Sequence, residues 1–492
     1  MKMIKQILYI LLFCGIFISC NEDNFLDEKP ISQESVDIFF ETYDDFEQAS
    51  TALYYELRSL YNTAGWVFGE LRSDNSTYHH NNQDQSGASR RNVDLFTMNP
   101  SDETNGPWEY CYRGIAKCNT ILHYIEDIEV KDKNRFIAEA KFFRGFYYFF
   151  LVRYFENIPL ITKVISSMNE AFEANKQVSP DLVYDQILKD LNDAKELLPV
   201  TVPNIKQGRI TQGAARATLA KVLMWRKQYK EAQTELETVV NSKAYLLLDE
   251  YSDVFDINKK NNEEMILSVQ YMEGAALGLS SNFMYQFLPF NIGAGEEYSL
   301  PHPVKVGGGV GFNVPTGDLI RSFEKGDVRK NMIDTTYIDH ARWVYNDSIV
   351  PFTKKFWDSE HSRQGETGVN FPIFRYPHVL LMLAECYFRE GGGDPIPLVN
   401  TVRERAKLPP LSNVTLDDII HERRVEFHCE CDRWDVLVRT GKAKEVMLAH
   451  GENERKRPYI QSNAYREIKL LFPIPEYQIE VDPTMEQNSE YK

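Results

Sequence analysis

The sequence has no apolar run long enough to cross a membrane. Its most apolar stretch, Ile7–Ile18, is about twelve residues long, well short of the ~20 that a spanning helix requires. Lys2 and Lys5 precede this stretch, and Ser19 and Cys20 follow it directly. A positive start, a short apolar centre and a small residue before a cleavage site are typical of a secretory signal peptide. We therefore expect an exported chain without a spanning anchor.

Cys20 indicates how such a chain is held at a membrane. Phe17-Ile18-Ser19-Cys20 resembles a bacterial lipobox, in which the cysteine becomes the lipidated first residue of the mature protein, although Phe17 stands where leucine is usual. Two acyl chains already suffice for stable anchoring. The alternative is an ordinary signal peptide that is cut elsewhere. We predict a signal peptide over 1–19, lipidation of Cys20 and a tether over 20–35.

An excess of basic residues is also lacking. Removal of Lys2 and Lys5 leaves 53 of the 55 basic residues against 72 acidic ones, so the mature chain has a net charge of −19. Such a chain is repelled by nucleic acid and by anionic lipid. The short basic groups Arg90-Arg91 and Arg455-Lys456-Arg457 do not change this balance. We expect no nucleic-acid partner.

Cysteine is scarce and poorly placed for disulfides. Besides Cys14 and Cys20, the chain has cysteines at positions 111, 118, 386, 429 and 431. An odd number cannot all pair within the chain, and Cys111 and Cys118 would lie about 10 Å apart along a shared helix, too far for a disulfide. We expect free, mostly buried thiols.

Spacings typical of metal sites are absent as well. His428-Cys429-Glu430-Cys431 gathers suitable residue types, but on a helix Cys429 and Cys431 would point to roughly opposite faces. His79-His80 has no third ligand at a useful spacing. We therefore predict neither a metal nor a cofactor.

Motifs of known catalytic sites are missing too. The sequence has no nucleophile elbow and no HExxH, and the glycine-rich segment 307–311 lacks the Lys-Ser/Thr of a phosphate loop. A glycoside hydrolase would need two carboxylates about 5 Å or about 6.5–9.5 Å apart. With 72 acidic residues, the sequence does not single out such a pair. We expect a protein that is not an enzyme and keep a surface glycoside hydrolase as the less favoured alternative.

The most frequent pattern in the sequence is the spacing of apolar residues that is typical of helices. Steps of three and four place one apolar stripe on each of four predicted helices. These helices lie at about 46–60, 108–125, 136–150 and 183–198. The aromatic run at 146–150 and Trp108 are expected to lie in the core.

Residues 211–242 carry the spacing of a tetratricopeptide repeat. Its apolar and small positions are Leu219, Ala220, Leu223, Tyr229, Ala232 and Leu236. The small Ala220 and Ala232 allow two antiparallel helices to approach closely. Leu383, Ala384 and Tyr387 begin a similar unit, whose second helix is predicted at about 399–406.

Two long irregular segments lie between these helices. Residues 63–107 are rich in Asn, Asp, Ser and Gly, and residues 272–315 are rich in Gly, Pro and aromatic residues. Residues 265–271 alternate like a short strand. Long loops within a compact domain are uncommon and are often functional.

Candidate ligand-binding residues come from these segments because a sugar or peptide site combines flat rings with amides. The first group is Trp66, Tyr78, His80 and Asn82, and the second is Tyr285, Phe290 and Tyr298. Trp343 and Tyr345 form a third group. For each residue taken alone, packing in the core or plain exposure is the favoured interpretation over ligand contact.

Several ordered blocks resemble those of one family. The blocks are Trp108-Glu-Tyr-Cys-Tyr-Arg-Gly-Ile115 with Asn119, Glu139–Arg144 with Phe146–Phe149 and Pro159-Leu160, Pro315-Thr316 with Phe323-Glu324 and Asp327–Arg329, Arg375-Tyr376, Asn400–Arg403, Glu422–Asp435 and Phe472–Pro475. Glu156-Asn157 replaces a usual Gly-Asp, and Gly145 replaces a usual Ala. Within these blocks we expect Arg423 to pair with Glu426, and Glu430 with Arg433, at i,i+3 helix spacing.

The chain thereby resembles the SusD/RagB family of surface lipoproteins. The resemblance implies one mostly α domain over 36–492, a tetratricopeptide-like helical scaffold with long irregular loops and a few short β-strands forming a ligand-binding face. Scaffold helices are expected at about 36–62, 108–260 and 375–445, and the loop-rich face at about 63–107 and 272–374.

The same resemblance implies a location and partners. It implies a lipid anchor in the outer membrane, exposure at the cell surface and a SusC-like TonB-dependent transporter as partner. The expected ligand is an oligosaccharide, with a peptide as the alternative. A scaffold that binds only other proteins remains a third hypothesis, because the helices resemble repeats.

Overall fold

The structure is a computed structural model that describes residues 39–79, 87–203, 208–274, 278–289, 308–336, 338–339, 348–358, 360–363, 365–457 and 460–492. Its helices, in chain order, are α1 (Tyr43–Leu60), α2 (Ala88–Asp94), α3 (Asn105–Tyr124), α4 (Lys133–Phe155), α5 (Met168–Ala174), α6 (Pro180–Leu197), α7 (Gln212–Trp225), α8 (Tyr229–Ser242), α9 (Phe283–Phe287), α10 (Gly317–Ser322), α11 (Tyr376–Glu390), α12 (Pro395–Arg405), α13 (Leu416–Glu426), α14 (Arg433–Arg439), α15 (Ala443–Glu454) and α16 (Glu476–Val481). The predicted helices are thus confirmed, within a few residues at each end.

The described strands are short and form only two-stranded pairs. They are β1 (Ser76–Thr77), β2 (Ile158–Pro159), β3 (Gln177–Val178), β4 (Met265–Val269), β5 (Val314–Pro315), β6 (Ile333–Asp334), β7 (Ile338–Asp339), β8 (Ser348–Ile349), β9 (Phe352–Thr353) and β10 (Phe371–Arg375). The antiparallel pairs are β1–β5, β2–β3, β4–β10, β6–β9 and β7–β8. The strand predicted at 265–271 corresponds to β4.

The scaffold is a row of paired helices. Helix α1 packs on α3, α3 on α4, α4 on α6, α6 on α7, α7 on α8, α8 on α11 and α11 on α12. The pairs α7/α8 and α11/α12 are the two tetratricopeptide-like units that the sequence predicts. Each helix buries a stripe against the next, so the core follows the row through the molecule.

Helix α4 lies at the centre of this row. Its aromatic run, Phe142–Phe150, is buried on every side of the helix, which is typical of a helix surrounded by others. At the crossing with α3, a Cβ on Gly114 would lie 2.4 Å from Cε2 of Tyr147. Gly114 therefore allows the two helices to approach more closely than any side chain there would permit.

The segment 63–107 differs from the irregular segment that we expected. Two short π-helical turns, Tyr61–Gly65 and Val67–Leu71, continue α1, and α2 follows. Val67, Phe68 and Leu71 are fully buried. The abundance of Asn, Asp and Ser concealed this core-forming part of the segment, because those residues favour turns when they are exposed.

The five described cysteines are free, as predicted, and all but Cys431 are buried. The helical placement predicted for Cys429 and Cys431 is wrong. Helix α13 ends at Glu426, and both cysteines lie in the following turn at φ of +63° and +67°. Among the described residues, no three metal-ligating side chains come together, and none of the described helices is long and apolar enough to span a bilayer.

Candidate functional site: a loop face over a satellite core

A small second core lies apart from the main one. Its buried members are Met284, Tyr285, Leu288, Val314, Val350 and Phe352. They come from α9 and the chain after it, from β5 and from the region of β9. Small clusters of this kind commonly support long loops. We call this group the satellite core and the surface above it the loop face.

Hydrogen bonds tie the chain segments of the satellite core together. Strand β1 pairs with β5, and just beyond it the His79 N–H donates to the Gly311 carbonyl (2.6 Å). Val310 N–H donates to the Tyr285 carbonyl (2.9 Å), and Gly311 N–H donates to that of Leu288 (2.8 Å). The described chain ends at 79, 289 and 308 are therefore held close to one another, although the sequence separates them widely.

Gly309 shows how closely these segments approach. A Cβ at this position would lie 2.3 Å from the Pro289 carbonyl oxygen and 2.6 Å from that of Leu288. Only glycine fits between the two carbonyl groups. The glycine-rich segment 307–311 is therefore explained by packing within its described part, and its resemblance to a phosphate loop is coincidental.

A layer of aromatic rings connects the loop face to the main core. Tyr78 stacks on Phe312 with 5.7 Å between ring centroids, and the Arg90 guanidinium lies 4.6 Å from the Phe312 centroid. Trp66 meets the edge of Phe287 at 5.2 Å. Arg90 also faces Glu103 at 3.6 Å. The described members of the first and second predicted groups thus belong to one neighbourhood, joined through Phe287 and Phe312.

The rings of the three described candidate residues are not exposed on the loop face. Trp66, Tyr78 and Tyr285 are buried, with exposed fractions of 0%, 1% and 4%. A ring with so little exposed surface contacts a ligand only if its neighbours move, so in this structure their rings pack in the protein. Ligand contact by these three residues stays a prediction. The candidates Cys20, His80, Asn82, Phe290, Tyr298, Trp343 and Tyr345 lie outside the described residues.

Trp357 is an aromatic residue of the loop face that sequence reasoning missed. It is only partly buried, packs against the satellite core and lies 6.2 Å from Phe352 between ring centroids. Its indole nitrogen has no hydrogen-bond partner among the described residues. The only sequence signal was an aromatic-rich segment, 352–357, which by itself does not distinguish a core ring from an exposed one.

A buried ionic network fixes the scaffold next to the loop face. Arg375 Nη1 lies 2.5 Å from Glu264 and 2.9 Å from Glu426, and its Nε lies 2.7 Å from Glu430. Arg405 joins Glu264 and Glu426 from the other side. The side chains of all five residues are nearly or fully buried. The network ties α13 and the turn after it to β4, β10 and α12.

This network explains why the two predicted i,i+3 pairs are wrong. Arg423 pairs with Asp432 at 2.6 Å instead of Glu426, and Arg433 pairs with Asp74 at 2.7 Å instead of Glu430. Because α13 stops at Glu426, Glu430 and Arg433 do not share a helix turn. Burial alone would raise the pKa of Glu426, but Arg405, Arg375 and Arg329 outweigh it and hold that pKa well below the usual range.

A buried carboxylate holds the turn after α13 against the segment 67–71. Glu70 accepts hydrogen bonds from the backbone N–H groups of Cys429 (2.8 Å) and Cys431 (3.1 Å). Burial raises the pKa of Glu70 to about 7, and these hydrogen bonds only partly oppose the effect. Gly69 packs directly against this turn. A Cβ added to Gly69 would lie 2.6 Å from the Cβ of Cys431, so the absence of a side chain at Gly69 leaves room for Cys431.

The protein is therefore a helical-repeat scaffold protein, in which paired helices carry a face built from loops over a separate small core. Comparison with known proteins specifies the class further. Residues 24–224 match a family model described as "Starch-binding associating with outer membrane", and residues 321–491 match the model of the SusD family. Together the two matches span most of the sequence, and the chain belongs to the SusD family.

Individual relatives agree over nearly the full length. "SusD-like protein P25" of Formosa agariphila is 25% identical, and the alignment covers 99% of this chain and 98% of the relative. A solved structure of a laminarin-binding SusD-like protein is 26% identical with a TM-score of 0.77, covering 92% of this chain and 100% of its own. Surface glycan-binding protein A from Bacteroides thetaiotaomicron, solved with laminarihexaose, is 22% identical with a TM-score of 0.76, covering 91% and 99%. The predicted fold class is thereby confirmed.

Proposed function

We propose that this chain is a non-enzymatic binding protein that captures an oligosaccharide on its loop face at the cell surface. A partner SusC-like TonB-dependent transporter in the outer membrane then receives the ligand. The observation that carries the proposal is the satellite core, which gathers three distant parts of the chain under one surface and leaves Trp357 partly exposed there. Such a role needs a rigid frame and an aromatic surface rather than a catalytic group.

The chemistry of the loop face suits a sugar ligand. A sugar ring has an apolar face that packs on an indole, and its hydroxyl groups need hydrogen-bond partners around that contact. Trp357 supplies the partly exposed ring, although its indole nitrogen itself is buried. The laminarin-binding relative and the starch-binding description of the matching family model support a glycan over a peptide.

The membrane part of the proposal rests on Cys20. Its lipobox-like context supplies an anchor, and the matching family model is described as associating with the outer membrane. A Cys20→Ala chain expressed in a host that lipidates exported proteins should appear in the soluble fraction, whereas the unaltered chain should sediment with outer membranes. Sedimentation of both chains alike would contradict lipid anchoring at Cys20.

Affinity electrophoresis in gels that contain laminarin or starch tests the ligand. The mature protein should be retarded by at least one of these glycans, and Trp357→Ala should weaken binding roughly tenfold, or about 1.4 kcal/mol. Trp225→Ala is the matched control, because Trp225 is also half-buried but lies at the end of α7. Equal retardation of both variants would contradict a role for Trp357, and retardation by a peptide alone would identify the other ligand class.

A further inference from the structure

A separate cleft opens where the C-terminal segment crosses the β2–β3 pair. Its volume is about 670 Å³, within the range of about 300–1,000 Å³ that is typical of small-molecule sites. Its wall carries amide and hydroxyl groups, from Asn157, Asn175, Gln177, Ser179, Thr484 and Asn488, together with the charged residues Glu156, Lys176, Glu486 and Lys492. None of these residues belongs to the loop face described above.

The wall of this cleft is rigidly built. The Gln177 side-chain amide donates to the carbonyl oxygens of Asn157 (2.9 Å) and Glu486 (3.1 Å), and its oxygen accepts from the Glu486 N–H (2.7 Å). Asn488 Nδ2 donates to the Phe472 carbonyl oxygen at 2.6 Å. These bonds fix the C-terminal segment beside β3, so a ligand would meet a preformed surface and lose less free energy to ordering.

Glu156 provides a second, independent observation at the rim. It follows α4 with φ +64° and ψ −90°, a conformation close to that of the rare γ-turn with positive φ. Glycine adopts this conformation readily, whereas another residue is strained there. Among the described residues, the exposed side chains of Glu156 and Asn157 have neither a hydrogen-bond nor an ion-pair partner. Their carboxylate and amide are therefore free to meet a ligand at the mouth of the cleft.

An exposed ring lies about one helical turn from a residue of the same cleft. Phe172, in α5, is 53% exposed and precedes by three positions the cleft residue Asn175, which caps α5. No residue of α5 is buried, although the side chain of Asn175 is tied to Asp482 at 2.9 Å. An apolar ring next to carboxylate and amide groups is the combination that a sugar requires.

We propose that this cleft is a second saccharide-binding site for a short neutral oligosaccharide segment. Asn157 and Glu156 bind its hydroxyl groups, and Phe172 packs on a ring face. Lys176 and Lys492 also line the cleft but are paired with Glu173 and Glu486. The free carboxylate of Glu156 and the net charge of −17 of the full sequence therefore disfavour an acidic sugar. The inference rests on the proposed glycan-binding function, but it concerns a surface that the proposed function does not need.

Hydrogen–deuterium exchange on the mature protein, with laminarihexaose and with maltohexaose as probes, tests the cleft. One probe should protect peptides at 156–179 and 484–492 in addition to those of the loop face, and calorimetry with that probe should give a stoichiometry near two. Asn157→Ala with Phe172→Ala should abolish protection at the cleft and lower the stoichiometry to one. Tyr55→Ala is the control for an exposed ring elsewhere, since Tyr55 is 45% exposed on α1.

The outcomes separate the two proposals. Protection of the loop face without protection of the cleft, or a stoichiometry of one in the unaltered protein, would overturn the second site and leave the proposed function intact. Protection of the cleft that persists in the double variant would contradict the assignment of Asn157 and Phe172. Absence of protection anywhere with both glycans would contradict the proposed function, and the second site with it.

Discussion

Glu156 combines backbone strain with an exposed side chain, and this combination leads to a prediction about stability. Glu156→Gly should increase the free energy of unfolding by about 1 kcal/mol. Relief of the strained φ/ψ in the folded state outweighs the larger backbone entropy that glycine gives the unfolded chain. Glu156→Ala removes the same carboxylate and keeps the strain, so it should give no gain. Urea unfolding of both variants decides the point, and a loss of stability in Glu156→Gly would show that the conformation is not strained.

Glu426 is predicted to be among the residues most sensitive to substitution. Glu426→Gln leaves Arg375, Arg405 and Arg329 buried with less negative charge to compensate them, which typically costs about 3–5 kcal/mol. Asp417→Asn is the matched control, because the Asp417–Lys442 pair is largely exposed and should matter little. Thermal unfolding of the two variants should separate their melting temperatures by about 3–5 °C, because the unfolding entropy of a chain this long is large. Similar melting temperatures would contradict the importance of the network.

The raised pKa of Glu70 makes the stability of the folded protein decrease as the pH rises. Its pKa of about 7 lies above the value of about 4.5 expected in the unfolded chain, so the folded state holds the proton more tightly. Its contribution is fully present below about pH 4.5 and is lost as the pH rises through about 7, by roughly 3 kcal/mol.

The comparison with Glu70→Gln isolates this group from the other titrating residues. The stability advantage of the unaltered protein over Glu70→Gln should shrink as the pH rises from about 4.5 to about 7.5, because only the unaltered protein loses a proton at residue 70. Urea unfolding at four pH values measures the difference. A difference that is constant or grows over this range would contradict the raised pKa.

At the scale of elements, the contact between α3 and α4 depends on Gly114. Gly114→Ala should destabilise the protein by about 1–3 kcal/mol, since the new methyl group would overlap the Tyr147 ring. Gly106→Ala in the same helix is the matched control. There the nearest atom is 3.3 Å away, in the Tyr110 side chain, and higher helix propensity should make the change neutral or slightly stabilising. Equal unfolding midpoints for the two variants would contradict the close approach of these helices.

The helices could be predicted from the sequence where one face is buried, because the apolar spacing then repeats every three or four residues. This holds for α1, α6 and α8. The turn after α13 could not be predicted in this way. There the Glu70 carboxylate and the distant arginine and glutamate partners stop the helix at Glu426, and such long-range contacts leave no periodic signal.

At the scale of the whole molecule, the family and the helical scaffold could be predicted from ordered sequence blocks. For the ligand site, the sequence predicted only a neighbourhood of aromatic groups, and ligand contact there stays a prediction. The described members of two of the three aromatic groups meet around Phe287 and Phe312, but Trp66 and Tyr78 pack inside the protein. Residue type alone does not report burial, since an aromatic ring serves equally well in a core and on a binding surface. For the same reason the sequence does not distinguish Trp357 from a ring of the core.

The central claim is that an oligosaccharide binds on the loop face above the satellite core. A crystal structure of the mature protein with laminarihexaose tests this most directly. The account predicts a sugar ring packed on the Trp357 indole, within reach of the chain around 79, 289 and 308, whether or not a second molecule occupies the C-terminal cleft. Bound sugar only at other surfaces, with the loop face empty at saturating ligand, would contradict it.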